Sequence, residues 1–152
     1  MKSSFTAETT ISISAPASEV WKAITTPAIT KEYLFGTHVK SDWKEGSTIS
    51  YEGEYQGHTY MDKGTILKVE PNKVFQSTYW SSMGDKEDKP ENYNTITYTL
   101  TELGNQTQLT ITQDNIQTEE SRKHSAENWK AVLQKLKELV EKGSNIKGSS
   151  DL

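Results

Sequence analysis

The stretch YNTITYTLTELGNQTQLTITQD, residues 93–114, decides the fold. Threonine alternates with apolar residues on both sides of Gly104-Asn105, and a period of two marks a half-buried strand. A two-residue turn with glycine first is the type II′ geometry, whose twist suits a hairpin. The strands Tyr93–Glu102 and Gln106–Asp114 then pair Leu100 with Leu109 and Tyr98 with Ile111 on one face. Thr99 with Thr110 and Thr97 with Thr112 make the other face. One side is apolar and the other wet, so the sheet is antiparallel and needs a single cover.

Working outward, a second hairpin is expected at Thr48–Tyr55 and His58–Val69, turning at Gln56-Gly57. Its register pairs Ile49 with Gly64, Tyr51 with Asp62, Gly53 with Tyr60 and Tyr55 with His58 on the inward side. Pro71-Asn72 turns the chain into a strand at Val74–Ser81. Ile66 lies on the opposite face from Leu67 and Val69, which predicts a bulge there and leaves the Ile66–Ser81 register open. Residues 83–92, MGDKEDKPEN, read as a long exposed loop. The first strand is Phe5–Ser14, with Ala7, Thr9, Ile11 and Ile13 on one side, and a weak strand falls at Thr37–Asp42.

Two regions break this alternation. After Pro16, Val20, Trp21 and Ile24 recur at helical spacing, and Thr26-Pro27 opens a shorter helix through Ile29 and Tyr33. At the far end Thr118 is placed as an N-cap, with Glu119 and Glu120 in the first turn. Trp129, Val132, Leu133, Leu136, Leu139 and Val140 form one apolar stripe, and Lys142-Gly143 is read as its close. Residues 1–143 are thus expected to form one α+β domain, a curved antiparallel sheet wrapped around a long C-terminal helix, with two short helices after the first strand. Residues 144–152 are expected to be a flexible tail. The stripe is uneven. Its first half offers only Arg122, Ser125 and Ala126 toward the sheet, which predicts a hollow between helix and strands.

Composition narrows the function classes. With 152 residues the chain makes one core, and without cysteine it has neither disulfides nor a thiol nucleophile. His38, His58 and His124 lie too far apart for a local metal signature, so no metal and no cofactor is expected. A net charge of −4 without a basic run argues against nucleic acid as a partner. No apolar run approaches the roughly 18 residues of a spanning helix, so no membrane insertion and a cytoplasmic location are expected.

Six segments in succession resemble one superfamily. They are ISAPASEVWKAITTP at 13–27, DWKEGS at 42–47, GTILKVEPNKVFQSTYW at 64–80, TITYTL at 95–100, QTQLTIT at 106–112 and NWKAVLQKLKELVEK at 128–142. The chain resembles the START-like, or SRPBCC, superfamily, and within it the branch similar to the C-terminal domain of the activator of heat-shock protein 90 ATPase. Tyr33 stands where that family commonly has tryptophan, and Asn128 where glycine is frequent. The resemblance implies a helix-grip fold around a cavity. Relatives include lipid carriers, hormone and flavonoid binders, and aromatic polyketide cyclases.

The expected site is the inward face carrying Tyr51, Tyr55, His58, Tyr60 and Asp62, where Asp62 is placed to accept a phenolic hydrogen bond from Tyr51. Trp80, Tyr98 and Trp129 near the long helix, with Tyr33 and Phe35 after the second short helix as either a lid over the cavity mouth or a plug in it, complete the expected ligand-binding set. The competing reading makes the first group a satisfied polar cluster and the tryptophans core. His58 and Asp62 stand four residues apart along one strand, about 13 Å, so they form no acid–base pair and no catalytic residue is assigned. The leading function is an internal cavity for a small hydrophobic molecule, aromatic or lipid-like. The alternatives are a co-chaperone-like module stimulating a heat-shock ATPase and a cyclase or dehydratase enzyme.

Overall fold

The computed structural model describes residues 4–34, 36–81 and 87–150. The chain runs β1 (Phe5–Ile13), α1 (Ala17–Thr25), α2 (Pro27–Tyr33), β2 (His38–Ser41), β3 (Thr48–Tyr55), β4 (His58–Glu70) and β5 (Val74–Tyr79). A single 3-10 turn at Pro90–Asn92 precedes β6 (Asn94–Leu103), β7 (Gln106–Ile116) and α3 (Glu119–Ser150). The strands make one antiparallel sheet in the order β1-β7-β6-β5-β4-β3-β2. This is the α+β architecture read from the sequence.

Both hairpins take the expected registers. Leu100 faces Leu109 and Tyr98 faces Ile111 across β6 and β7. Tyr51 faces Asp62, Gly53 faces Tyr60 and Tyr55 faces His58 across β3 and β4. At their turns Gly104 sits at φ +66°, while Gln56 and Gly57 sit at +50° and +82°, the left-handed conformations that tight hairpin turns require. The expected bulge falls between Ile66 and Lys68, after which Val69 pairs with Phe75 and Ile66 with Ser77. Gly64 lets β4 nest on β5, since a Cβ there would lie 1.7 Å from the Thr78 carbonyl oxygen.

The helices are tied down by side chains. Pro16 cannot cap α1 with a side chain, and the Ala17 N–H donates instead to Glu102 Oε1 at 3.0 Å. Thr118 caps α3 as expected, its Oγ1 accepting the Ser121 N–H at 3.0 Å. α3 does not stop at Lys142-Gly143. Gly143 avoids the left-handed conformation that ends a helix, and the helix continues to Ser150. Ile13, Val20, Ile49, Ile66, Leu109, Ile111, Leu133 and Leu136 are fully buried between α1, α3 and the concave face of the sheet.

Candidate functional site

Two regions of the concave face carry polar chemistry. The first is a chain of phenols in the interior. Asp62 is 7% exposed and accepts a hydrogen bond from Tyr79 Oη at 2.5 Å. Tyr51, which the sequence reading paired with Asp62, is hydrogen-bonded to Ser77 instead and meets the Tyr79 ring edge-on at 5.5 Å. The β5 register decides this outcome, because it turns Phe75, Ser77 and Tyr79 onto the face that Tyr51 and Asp62 share. Burial pushes the Tyr51 phenol up to about 12, opposed by the Ser77 hydrogen bond and reinforced by the Asp62 charge. Burial first, and the Asp62 carboxylate second, hold Tyr79 well above the ordinary phenol range. Tyr33 and Tyr98 are raised by the same burial. These phenols stay protonated at neutral pH and act as hydrogen-bond donors.

Little space remains among them. Tyr33, Tyr51, Phe75, Tyr98 and Trp43 surround a void of only about 10 Å³, at the lower limit for a single water. The hollow expected against Tyr51 and Tyr98 is therefore filled. Of the two readings of Tyr33, the plug fits and the lid does not: it is 1% exposed, and its Oη donates to the Ala23 carbonyl at 3.0 Å, locking α2 against α1. Phe35 lies outside the described residues. At the β3–β4 turn His58 is exposed, and Tyr55 is placed by its backbone pairing with His58. Tyr60 lies over Gly53, where a Cβ would come within 2.4 Å of its hydroxyl, and shares a 2.6 Å hydrogen bond with Thr37 Oγ1.

The second region is open. Between the ends of β5, β6 and β7 and the first turns of α3 lies a cleft of about 280 Å³. Tyr79, Trp80 and Ser81 form one wall, and Gln113, Asn115 and Ile116 at the end of β7 form the floor. Asn92 and Asn94 close one side, while Gln117, Ser121 and Ser125 bring in the start of α3. Here the weak half of the helical stripe does leave room, as its small residues predict. Trp129 separates this cleft from the interior. Its Nε1 donates to Gln113 Oε1 at 2.8 Å, and its ring meets Tyr98 edge-on at 6.1 Å. Trp80 is braced from outside by Tyr93, stacked at 6.5 Å, by the Lys63 ammonium 5.8 Å from its ring centre, and by its Nε1 donating to the Glu87 carbonyl at 3.1 Å.

The structure thus gathers Tyr51, Asp62 and Tyr98 in the packed interior and brings Trp80 to the cleft, with Trp129 between the two through Gln113 and Tyr98. It leaves His58 and Tyr60 at the far end of the β3–β4 hairpin. Tyr79, Gln113 and the asparagines were not expected. Strand alternation already places Tyr79 with Phe75 and Ser77, but the bulge hides which face that is. Among the described residues, no group of three or more His, Asp or Glu is placed to hold a metal ion. Among the same residues, no helix is long and apolar enough to cross a membrane.

Comparison with known proteins agrees with this architecture. The family model described as activator of Hsp90 ATPase homolog 1-like protein matches residues 14–141, and the chain belongs to that family. The solution structure of ChR145 from Cytophaga hutchinsonii is 44% identical, with a TM-score of 0.81 over 93% of this chain and 97% of that one. The Aha1 dimer from Colwellia psychrerythraea is 22% identical, with a TM-score of 0.72 over 90% of this chain and 96% of that one. DynU16, from the dynemicin biosynthetic locus, is 19% identical, with a TM-score of 0.74 over 91% of this chain and 48% of that one. The last two share the fold. No protein of curated function matches the chain in sequence.

Proposed function

We propose that this member of the activator of Hsp90 ATPase homolog 1-like family is a small-ligand-binding domain whose site is the cleft beside the N-terminal half of α3. The observation that carries this reading is the 280 Å³ space at the weak half of the helical stripe, against about 10 Å³ in the interior. Its size lies near the lower end of the roughly 300–1,000 Å³ typical of ligand pockets, which suits an aromatic or short lipid-like molecule. In this reading Trp80 borders the ligand, Trp129 and Tyr98 form the wall behind it, and Asp62 holds Tyr79 in place. Covering about 200–300 Å² of apolar ligand surface gives roughly 5–8 kcal/mol before ordering costs, which sets affinity at micromolar or weaker.

A thermal-shift screen of aromatic and lipid-like compounds tests this. Ser125→Trp, which fills the cleft from the helix, is expected to abolish the shift of any hit. Tyr60→Ala, at the other end of the β3–β4 hairpin, is expected to retain it. The opposite pattern would move the site to the His58 end.

Contact with a heat-shock chaperone is the second reading. It draws on the family description and on Met61 and Leu67, 50% and 45% exposed along β4. Stimulation of a purified chaperone's ATPase that is lost in Met61→Glu would favour it; absence of stimulation by the wild-type chain would remove it.

A further inference from the structure

One side of the cleft is built differently from the others. β5, β6 and β7 are joined to one another along their ladders, and α3 starts on the Thr118 cap. Residues 87–93, which bring Asn92 to the cleft, lie outside the strands. Their backbone groups bond to each other. The Lys89 N–H donates to the Glu87 carbonyl at 2.9 Å, the Asn92 N–H to Lys89 at 2.8 Å and the Tyr93 N–H to Pro90 at 3.2 Å. Glu87, Asp88, Lys89, Pro90 and Glu91 are exposed, and Asn92 and Tyr93 are only half-buried. A segment with so little buried surface, whose hydrogen bonds water can reach, opens locally at far lower cost than a sheet.

Side chains fasten this strap at three points. On the cleft side, Asn115 at the end of β7 has φ +55°, a left-handed conformation that asparagine tolerates. Its Nδ2 donates to the carbonyls of Glu91 at 2.9 Å and Tyr93 at 3.0 Å. On the outer side, Asp88 takes the Lys63 ammonium at 2.6 Å and the Tyr93 hydroxyl at 2.5 Å. Lys63 and Asp88 are 42% and 41% exposed, so this clasp is the weaker of the two. Trp80 is fixed to β4 by backbone bonds to Lys63 at 2.8 and 3.0 Å, and its Nε1 holds the strap by the Glu87 carbonyl. The strap is thus fastened to the molecule rather than woven into it.

We infer that residues 87–93 are a door to the cleft, which opens by release from Asn115 and Asp88 while the sheet and α3 stay in place. This rests on the cleft being the ligand site. Asn115→Asp keeps the left-handed backbone and the side-chain oxygens but removes both N–H donors. Hydrogen exchange of the full chain, read by NMR, is expected to quicken at the Asn92 and Tyr93 amides. The gain is at least about tenfold in Asn115→Asp and about two- to fivefold in Lys63→Ala. The Leu100 amide, bonded to the Lys73 carbonyl at 2.8 Å, is expected to keep its wild-type rate. Strap amides that do not move, or that move only together with Leu100 in both variants, overturn the door. Stopped-flow fluorescence with N-phenyl-1-naphthylamine, an uncharged ring compound, then tests passage. Lys63 lies outside the cleft lining, so in Lys63→Ala association and dissociation are expected to quicken by the same factor as exchange, with Kd unchanged. Probe rates that stay at wild-type values in both variants overturn the door and leave the cleft as a site entered elsewhere. No binding to the wild-type chain, or binding undiminished by Ser125→Trp and by Ser121→Trp, overturns the cleft reading and the door together. Circular dichroism shows that each variant is folded.

Discussion

The middle turns of α3, from Trp129 to Glu141, and its first turns face the same sheet, yet only the middle turns close against it. Val132, Leu133, Leu136 and Val140 are buried there, and Lys137 and Glu141 fasten the helix to β1 through the Ser12 carbonyl and the Ser14 N–H, each at 2.8 Å. In the first turns Arg122, Ser125 and Ala126 are only half-buried. Those turns are held by Thr9 Oγ1 donating to the Ala126 carbonyl at 3.3 Å and by Trp129 on Gln113. A helix is a stiff rod, so the spacing that leucines set at one end persists at the other, where serine and alanine are too short to span it. Core and cleft come from the same helix, and Trp129 is the border between them.

Substitutions that probe this contrast should differ in size. Leu136→Ala removes a fully buried side chain and is expected to cost about 2–5 kcal/mol in urea unfolding, while Ser125→Ala stays within about 0.5 kcal/mol. Comparable losses at the two positions would break the contrast. The interior phenols should appear in alkali. Tyr51 holds its proton up to about 12, whereas an unfolded tyrosine releases it near 10. The unfolded chain thus binds fewer protons above about pH 10, so the contribution is intact below that point and is lost as pH rises through about 12. Unfolding free energies from urea titrations should fall between about pH 8 and about pH 12, with Tyr51 contributing on the order of 2 kcal/mol of the fall, and less steeply in Tyr51→Phe.

At the border, Trp129→Phe keeps a ring against Tyr98 but loses the N–H to Gln113. A loss of about 1 kcal/mol is expected, since water in the cleft can serve the freed amide oxygen. A loss above about 3 kcal/mol would mean that Trp129 is core rather than border. A small effect is expected at Lys137→Ala, below about 1 kcal/mol and reduced by salt, because the pair with Glu141 is partly solvated.

Much of the fold is legible along the chain because hairpins are local. Gly104-Asn105 and Gln56-Gly57 set both registers, and each register assigns the inward face without reference to the rest of the molecule. The bulge between Ile66 and Lys68 ends that local logic. Past it, the face of Tyr79 depends on which residues β4 and β5 align, and the partner of Asp62 depends on it in turn. α3 runs past Lys142-Gly143 because a glycine signals a stop only when it takes the left-handed conformation, and Gly143 stays helical.

The chain alone determined which faces are apolar, where it turns, and which half of its last helix has nothing large to bury, since these follow from periodicity and side-chain size. Only the tertiary structure decided where that shortage becomes space. Tyr33, Tyr51 and Tyr98 converge from α2, β3 and β6 and fill the middle of the concave face, so the room is displaced to the end where β5, β6 and β7 meet the first turns of α3. Packing is a property of side chains that meet from distant parts of the sequence, and no local pattern specifies which of them meet.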